Sequence, residues 1–157
     1  MIRPATSNDI ATILQFVRDL ARFEREPDAV EATEAMLTEA LFGARPAAEA
    51  VIAENEGRAQ GFAVFFHSFS TWTGRRGLYL EDLYVTPEAR GQGVGTALLR
   101  HLATLAVERG CGRFEWSVLD WNADAIAFYR QMGAIGMEDW TVQRVSGDAL
   151  LRLAGQR

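Results

Sequence analysis

Apolar positions recur at helical spacing in four stretches of the chain and alternate, or run together, in several others. Ile10, Ile13, Leu14, Val17, Leu20 and Ala21 follow the i, i+3, i+4 rule. They predict a helix opened by Thr6, with Asp9 as a partial capping box, ending near Phe23. Pro27 interrupts the chain, and a second helix is expected from about Thr33 to Leu41, before Gly43 and Pro46. Ala50–Glu54 and Ala59–Phe69 read as strands joined by a turn at Gly57, and Thr71–Gly77 as a loop. Leu78–Val85 is a strand stopped by Pro87. A helix with Leu98, Leu102, Leu105 and Ala106 on one face runs from Val94 to about Arg109. Phe114–Leu119 reads as a strand. Asn122 caps a helix reaching about Met132, closed by Gly133. Two terminal strands, about Glu138–Val145 and Ala149–Leu153, are predicted around Ser146–Gly147. Strands alternating with helices make this a mixed α/β domain.

At 157 residues, one domain spanning residues 1–157 is expected. All 16 basic residues are Arg. Without Lys there is no Walker-A phosphate loop, no pyridoxal Schiff base and no lysine nucleophile. The net charge of −5 matches the sum over Glu24–Glu39, where Glu24, Glu26, Asp28, Glu31, Glu34 and Glu39 face only Arg25. That segment argues against a nucleic-acid partner and suits a cationic one, or is a solvated face. Cys111 is the sole cysteine, which fits a reducing, cytoplasmic setting. No apolar run is long enough to span a membrane, and no membrane partner is expected. His67, read as an end-of-strand residue, and His101, on a helix surface, have no metal-ligand spacing, so no metal is expected.

Arg90-Gly91-Gln92-Gly93-Val94-Gly95-Thr96 joins a strand to an amphipathic helix. Glycines allow successive N–H groups to point into one concavity, and the helix adds its positive end, forming an anion seat suited to a pyrophosphate. Arg90 could add charge from the rim. A dinucleotide fingerprint is a poor fit, because Thr96 replaces the third glycine and Thr86–Arg90 separate the turn from its strand.

The glycine turn matches the R/Q-x-x-G-x-G/A motif of the GNAT superfamily of acyl-CoA-dependent N-acetyltransferases. Asn122 to Ala134, N-A-D-A-I-A-F-Y-R-Q-M-G-A, matches its N-x-x-A-x-x-F-Y-x-x-x-G-A segment. The chain further resembles the diamine (spermidine/spermine) and thialysine acetyltransferases nearly end to end. Ile2–Thr6, Leu20–Glu24, Leu78–Val85, Trp121-Asn122, Trp72 and Trp140 carry that likeness. The resemblance implies a central, mostly antiparallel twisted sheet flanked by helices, with a splayed strand pair at the acyl-CoA site. It also implies acetyl-CoA as cosubstrate, a small amine acceptor and a homodimer.

By the same resemblance, backbone groups of Leu83, Tyr84 and Val85 hold the pantetheine arm. Arg90, Gly91, Gln92, Gly93, Val94, Gly95 and Thr96 hold the pyrophosphate, and Asn122, Ala123, Asp124, Ala125 and Phe128 complete the cofactor contacts. Tyr129 maps onto the acid that protonates the departing thiolate; on residue type alone it reads sooner as a core aromatic. Glu81 maps onto the acceptor amine, with a base role through water. Phe23, Glu24, Trp72, Asp82, Glu115, Trp116, Ser117, Trp121 and Glu138 complete the acceptor set. Phe23 stands where the diamine enzymes carry a tyrosine, and the chain from Ala134 to Trp140 is shorter than theirs. Strict alternation would place Glu81 with Tyr79, Leu83 and Val85, and Asp82 with Leu80 and Tyr84. A non-catalytic acyl-CoA-binding module and a protein-amine acetyltransferase are the competing functions.

Overall fold

In the computed structural model, which describes residues 1–156, Ile2–Pro4 forms strand β1. A single 3-10 turn over Ser7–Asp9 then leads into helix α1, Ile10–Phe23. The Asp9 carboxylate accepts the Thr6 backbone N–H at 2.7 Å and a two-pronged contact from Arg3 at 2.8 and 2.9 Å. These bonds, with Arg3 first among them, hold the Asp9 pKa down at about 2. Helix α2, Glu34–Phe42, is capped by Thr33, whose hydroxyl accepts from the Met36 N–H at 3.2 Å. Strands β2 (Glu49–Asn55), β3 (Arg58–Ser70) and β4 (Arg75–Val85) form an antiparallel meander. Helix α3, Val94–Glu108, crosses to β5, Arg113–Trp116. The sheet order is β1-β2-β3-β4-β5, antiparallel except for the parallel β4–β5 pair.

Each face of this sheet buries one helical layer. Ile10, Ile13 and Phe16 of α1 and Leu41 of α2 pack on Ala50, Ile52, Phe62 and Tyr84. Phe16 lies 5.5 Å from the rings of both Phe62 and Tyr84, a position the α1 periodicity did not single out. The opposite face carries Val51, Ala63, Phe65, Leu78 and Leu80 with Leu98, Leu99, Leu102 and Ala106 of α3, all buried. Burying each such large side chain is worth about 1.5–3 kcal/mol before entropy is counted. Gly61 permits the close approach here: a Cβ on it would stand 2.6 Å from the Tyr84 carbonyl and 3.5 Å from Leu98.

The chain divides into two compact units, Met1–Leu119 and the remainder from Asp120. In the second unit, helix α4 (Ala123–Gln131) starts where expected, with the Asn122 side chain accepting from the Ala125 N–H at 3.2 Å. The two expected terminal strands do not form. Residues 134–146 contain no strand, and Gly147–Leu153 is helix α5, with Asp148 in its first turn and Arg152 in its last. Ala149, Leu150, Leu151 and Arg152 are strong helix formers, and this unit offers no strand whose ladder an extended segment could join. Three smaller boundaries also differ. Strand β4 begins at Arg75, inside the expected loop, and β5 stops at Trp116 rather than Leu119. His67 lies within β3, opposite Leu78. None of the helices among the described residues is long and apolar enough to cross a membrane.

Candidate active site

Strands β4 and β5 pair only from Gly77–Leu80 to Arg113–Trp116. Beyond Leu80, β4 runs on to Val85 with no β5 partner, so the edge of residues 81–85 on that side is open. β5 ends at Trp116, which leaves Leu83, Tyr84 and Val85 without a β5 partner on that edge. The glycine turn follows. Gly91 and Gly93 have φ of +77° and +84°, the left-handed region that glycine tolerates, and a Cβ on either would meet open space. Gly93 is the N-cap of α3 and offers no side chain, so the first N–H groups of that helix are left to an external acceptor. An open strand edge leading to uncapped, inward-turned N–H groups fits the pantetheine and pyrophosphate of an acyl-CoA.

Gly95, by contrast, has no backbone or steric need to be glycine. It lies inside α3, where a Cβ would make ordinary contacts of 3.8 and 4.0 Å with Val85 and Leu83. Gly93→Ala is therefore expected to cost about 1–2 kcal/mol through its backbone and to weaken CoA binding. Gly95→Ala should leave stability unchanged or raise it by up to about 1 kcal/mol. Thermal melts and calorimetric CoA titrations of both variants check this; equal losses would refute the division of roles.

Arg90 folds back from the rim. Its Nε donates to the Val85 carbonyl at 3.1 Å, and its guanidinium sits 5.6 Å from the Tyr84 ring centroid and 5.7 Å from that of Phe23. It thus ties the glycine turn to the end of α1, and such cation–π contacts are worth about 0.5–2 kcal/mol.

The acceptor-side carboxylates are arranged by a β-bulge. Asp82 pairs with Val64 while Leu80 pairs with Phe65, so Glu81 is the extra residue. The extra residue reverses the expected alternation. Asp82 shares a face with Tyr79 and Tyr84, the α1 side, and Leu83 shares the other with Leu80. Glu24, at the C-terminal end of α1, reaches the same place. Burial and then the charge of Glu81 push its pKa up. Burial, then Glu81, then Glu24 push Asp82 up to about 6. Three carboxylates are held together there, one of them beside the negative pole of a helix. That is costly without a cation and favourable with one.

The bulge also adds residues that alternation had placed elsewhere. Phe66 and Tyr79 stack at 5.1 Å on the Asp82 face, and the Tyr79 hydroxyl and Ser117 lie 2.8 Å apart. Glu115 shares that face but lines a cavity with Arg75 and Arg113. Trp116 pairs with Leu80 and meets the Phe114 ring at 4.9 Å with a 59° tilt, on the α3 side. Trp72 lies in the β3–β4 turn, 80% exposed, beyond the about 20 Å of strand that separates Arg75 from Asp82. Within the first unit, then, Glu24, Glu81 and Asp82 come together; Trp72, Glu115 and Trp116 lie apart from them.

In the second unit Asn122 spends its side-chain oxygen on the cap of α4. Ala123, Asp124 and Ala125 form the first turn. Phe128 and Tyr129 are half-buried, their rings 5.6 Å apart. Glu138 contacts Arg130 at 3.6 Å with its carboxylate largely exposed, and Trp121 precedes the cap, 42% exposed.

The sequence model of the acetyltransferase (GNAT) family matches residues 13–134, a run that crosses the boundary between the two units. The thialysine N-epsilon-acetyltransferase of Sus scrofa is 38% identical, over 99% of this chain and 98% of that protein. The L-ornithine N5-acetyltransferase of Arabidopsis thaliana is 31% identical, over 95% of this chain and 85% of its own length. Among solved structures, an integron cassette protein from the mobile metagenome of V. cholerae superposes with a TM-score of 0.82 at 27% identity. It covers 98% of this chain, and 96% of that protein is matched. With the open β4 edge, the glycine turn and the Asn–Phe–Tyr helix on the same chain, these matches agree: the protein belongs to the GNAT acetyltransferase family.

Proposed function

We propose that this protein transfers an acetyl group from acetyl-CoA to a primary amine of a small cationic acceptor, a diamine, a polyamine or a thialysine-like amino acid. The observation that carries the reading is the convergence of Glu24, Glu81 and Asp82 beside the open edge of β4. An arriving ammonium group relieves the mutual repulsion of these carboxylates. Acetyl-CoA supplies the thioester carbonyl that the amine attacks in a ternary complex.

The residues divide the proton work. The ammonium group must lose a proton before its lone pair can attack. Asp82, at about 6, accepts that proton with about 3 kcal/mol less cost than an ordinary aspartate at 3.8. From an ammonium near pKa ~10.4, the remaining cost is about 6 kcal/mol, well inside the barrier of roughly 16 kcal/mol that corresponds to ~10 turnovers per second. Glu81 raises the basicity of Asp82 and binds the acceptor, refining the base role that the resemblance assigns to Glu81 alone. On the second unit, Tyr129 donates its phenolic proton to the departing sulfur, a match between a phenol of pKa ~10 and a thiolate of similar basicity.

The two units together form one acetyltransferase domain in this reading, supported by the unbroken family match. A homodimer, resting on the resemblance, and a cytoplasmic location, resting on the single Cys111, belong to the same proposal. A panel of diamines, polyamines, ornithine, lysine and thialysine with acetyl-CoA, read by thiol release, tests the whole. Turnover with at least one acceptor is expected. CoA binding without turnover on the full panel would transfer the protein to the non-catalytic acyl-CoA-binding class.

A further inference from the structure

The β3–β4 hairpin has the opposite electrostatic character to the rest of the chain. From Arg58 through Leu80 there are three arginines and no carboxylate, in a protein of net charge −5. The register across three strands sets Ser68, Gly77 and Arg113 in one row, and Ser70 opposite Arg75, on a single face. Gly77 leaves that row open; a Cβ there would stand 2.5 Å from the Ser68 Oγ. These residues, with Thr73, Arg76 and Glu115, line a cavity of about 70 Å³.

The cavity is short of negative charge. Arg75 and Arg113 face the cavity against the one Glu115 carboxylate, a local charge of +1, while Arg76 alternates to the other face, where its charge reaches His67. Among the described residues Arg75, Arg76 and Arg113 have no carboxylate within ion-pair distance, whereas Arg3, Arg22, Arg109 and Arg130 each do. Ser70 is set to donate. Ser70 Oγ accepts from the Trp72 and Thr73 N–H groups at 3.2 and 3.3 Å, so its lone pairs are occupied and its O–H remains. The site is also remote from the acyl-CoA machinery: β4 runs about 30 Å from Arg75 to Val85, and the glycine turn lies beyond that end.

We propose that this cavity binds a phosphate dianion, with Arg75 and Arg113 as the guanidinium ligands and Ser68 and Ser70 donating from below. The open cavity has room for one tetrahedral oxyanion. Two arginine forks match the oxygens of a tetrahedral dianion in pairs, more than a single carboxylate can engage.

The site is independent of the acetyl-transfer reading, and so is its test. Inorganic phosphate is titrated calorimetrically into the full chain at pH 7.5 and constant ionic strength, with CoA present to occupy the glycine turn. A parallel titration uses acetate. Saturable phosphate binding at submillimolar concentration is expected, together with a rise in Tm. The double variant Arg75→Gln/Arg113→Gln should weaken it at least 10-fold while its CoA affinity and circular dichroism stay unchanged. Absence of saturable binding overturns the site. Binding that survives in the double variant places the anion elsewhere, and equal affinity for acetate refutes the phosphate assignment.

Discussion

Asp82→Asn is expected to lower kcat/KM for the amine acceptor about 100-fold or more while leaving the affinity for acetyl-CoA within about twofold. The loss follows from removing the proton acceptor, a role commonly worth 10²–10⁴ in rate. The pH profile separates this from a change in shape. In the parent protein, kcat/KM for the acceptor should rise through pH about 6 as Asp82 ionises. Asp82→Asn should abolish that limb. Glu81→Gln should move it to lower pH, because removing the Glu81 charge removes one of the causes that raise Asp82. A limb unmoved in both variants would take Asp82 out of the mechanism.

The same carboxyl predicts an opposite effect on stability. Between pH about 4 and 6 folded Asp82 still holds a proton that the unfolded chain has released, so stability falls as pH rises through this window. Above pH 6 the full penalty is present, about 3 kcal/mol at most. Asp82→Asn should therefore be more stable than the parent at pH 7–8 and indistinguishable from it below pH 4. Denaturant melts at the two pH values check the sign. A variant destabilised equally at both would mean that Asp82 serves packing rather than the acceptor.

Tyr129→Phe is expected to reduce kcat by 10²–10⁴-fold with KM for acetyl-CoA nearly unchanged, because only the proton for the departing thiolate is lost. The ring and its contact with Phe128 are retained, so α4 should stay folded. An acceptor panel run with a thioester whose leaving thiol is more acidic provides the second measurement. The variant should recover most of its rate, since a weakly basic thiolate departs without the proton. An unchanged kcat with acetyl-CoA would identify Tyr129 as a packing residue of the helix.

Several features were legible from local pattern because local physics produces them. The periodicity of Ile10, Ile13 and Leu14 made a helix wherever that face could be buried, and Thr33 and Asn122 capped the helices that their side-chain oxygens begin. Gly91 and Gly93 carried the turn, since the left-handed backbone they adopt excludes most other residues. The C-terminal stretch misled because Leu150, Leu151 and Leu153 fit either period over so short a run, and helix propensity decided it in the absence of a strand to pair with.

What the chain's own order of residues determined is the inventory: a mixed α/β meander, a glycine turn after it, a motif helix near its end, and acids at positions 24, 81 and 82. What only the tertiary structure decided is which of these meet. Alternation assigns side chains to faces one residue at a time, and a single unpaired residue at Glu81 reverses every assignment after it. That reversal put Asp82 on the α1 side, within reach of the Glu24 charge, and left Trp116 on the other face. A bulge depends on how two strands 18 positions apart at Val64 and Asp82 come into register, a long-range condition that no local pattern carries.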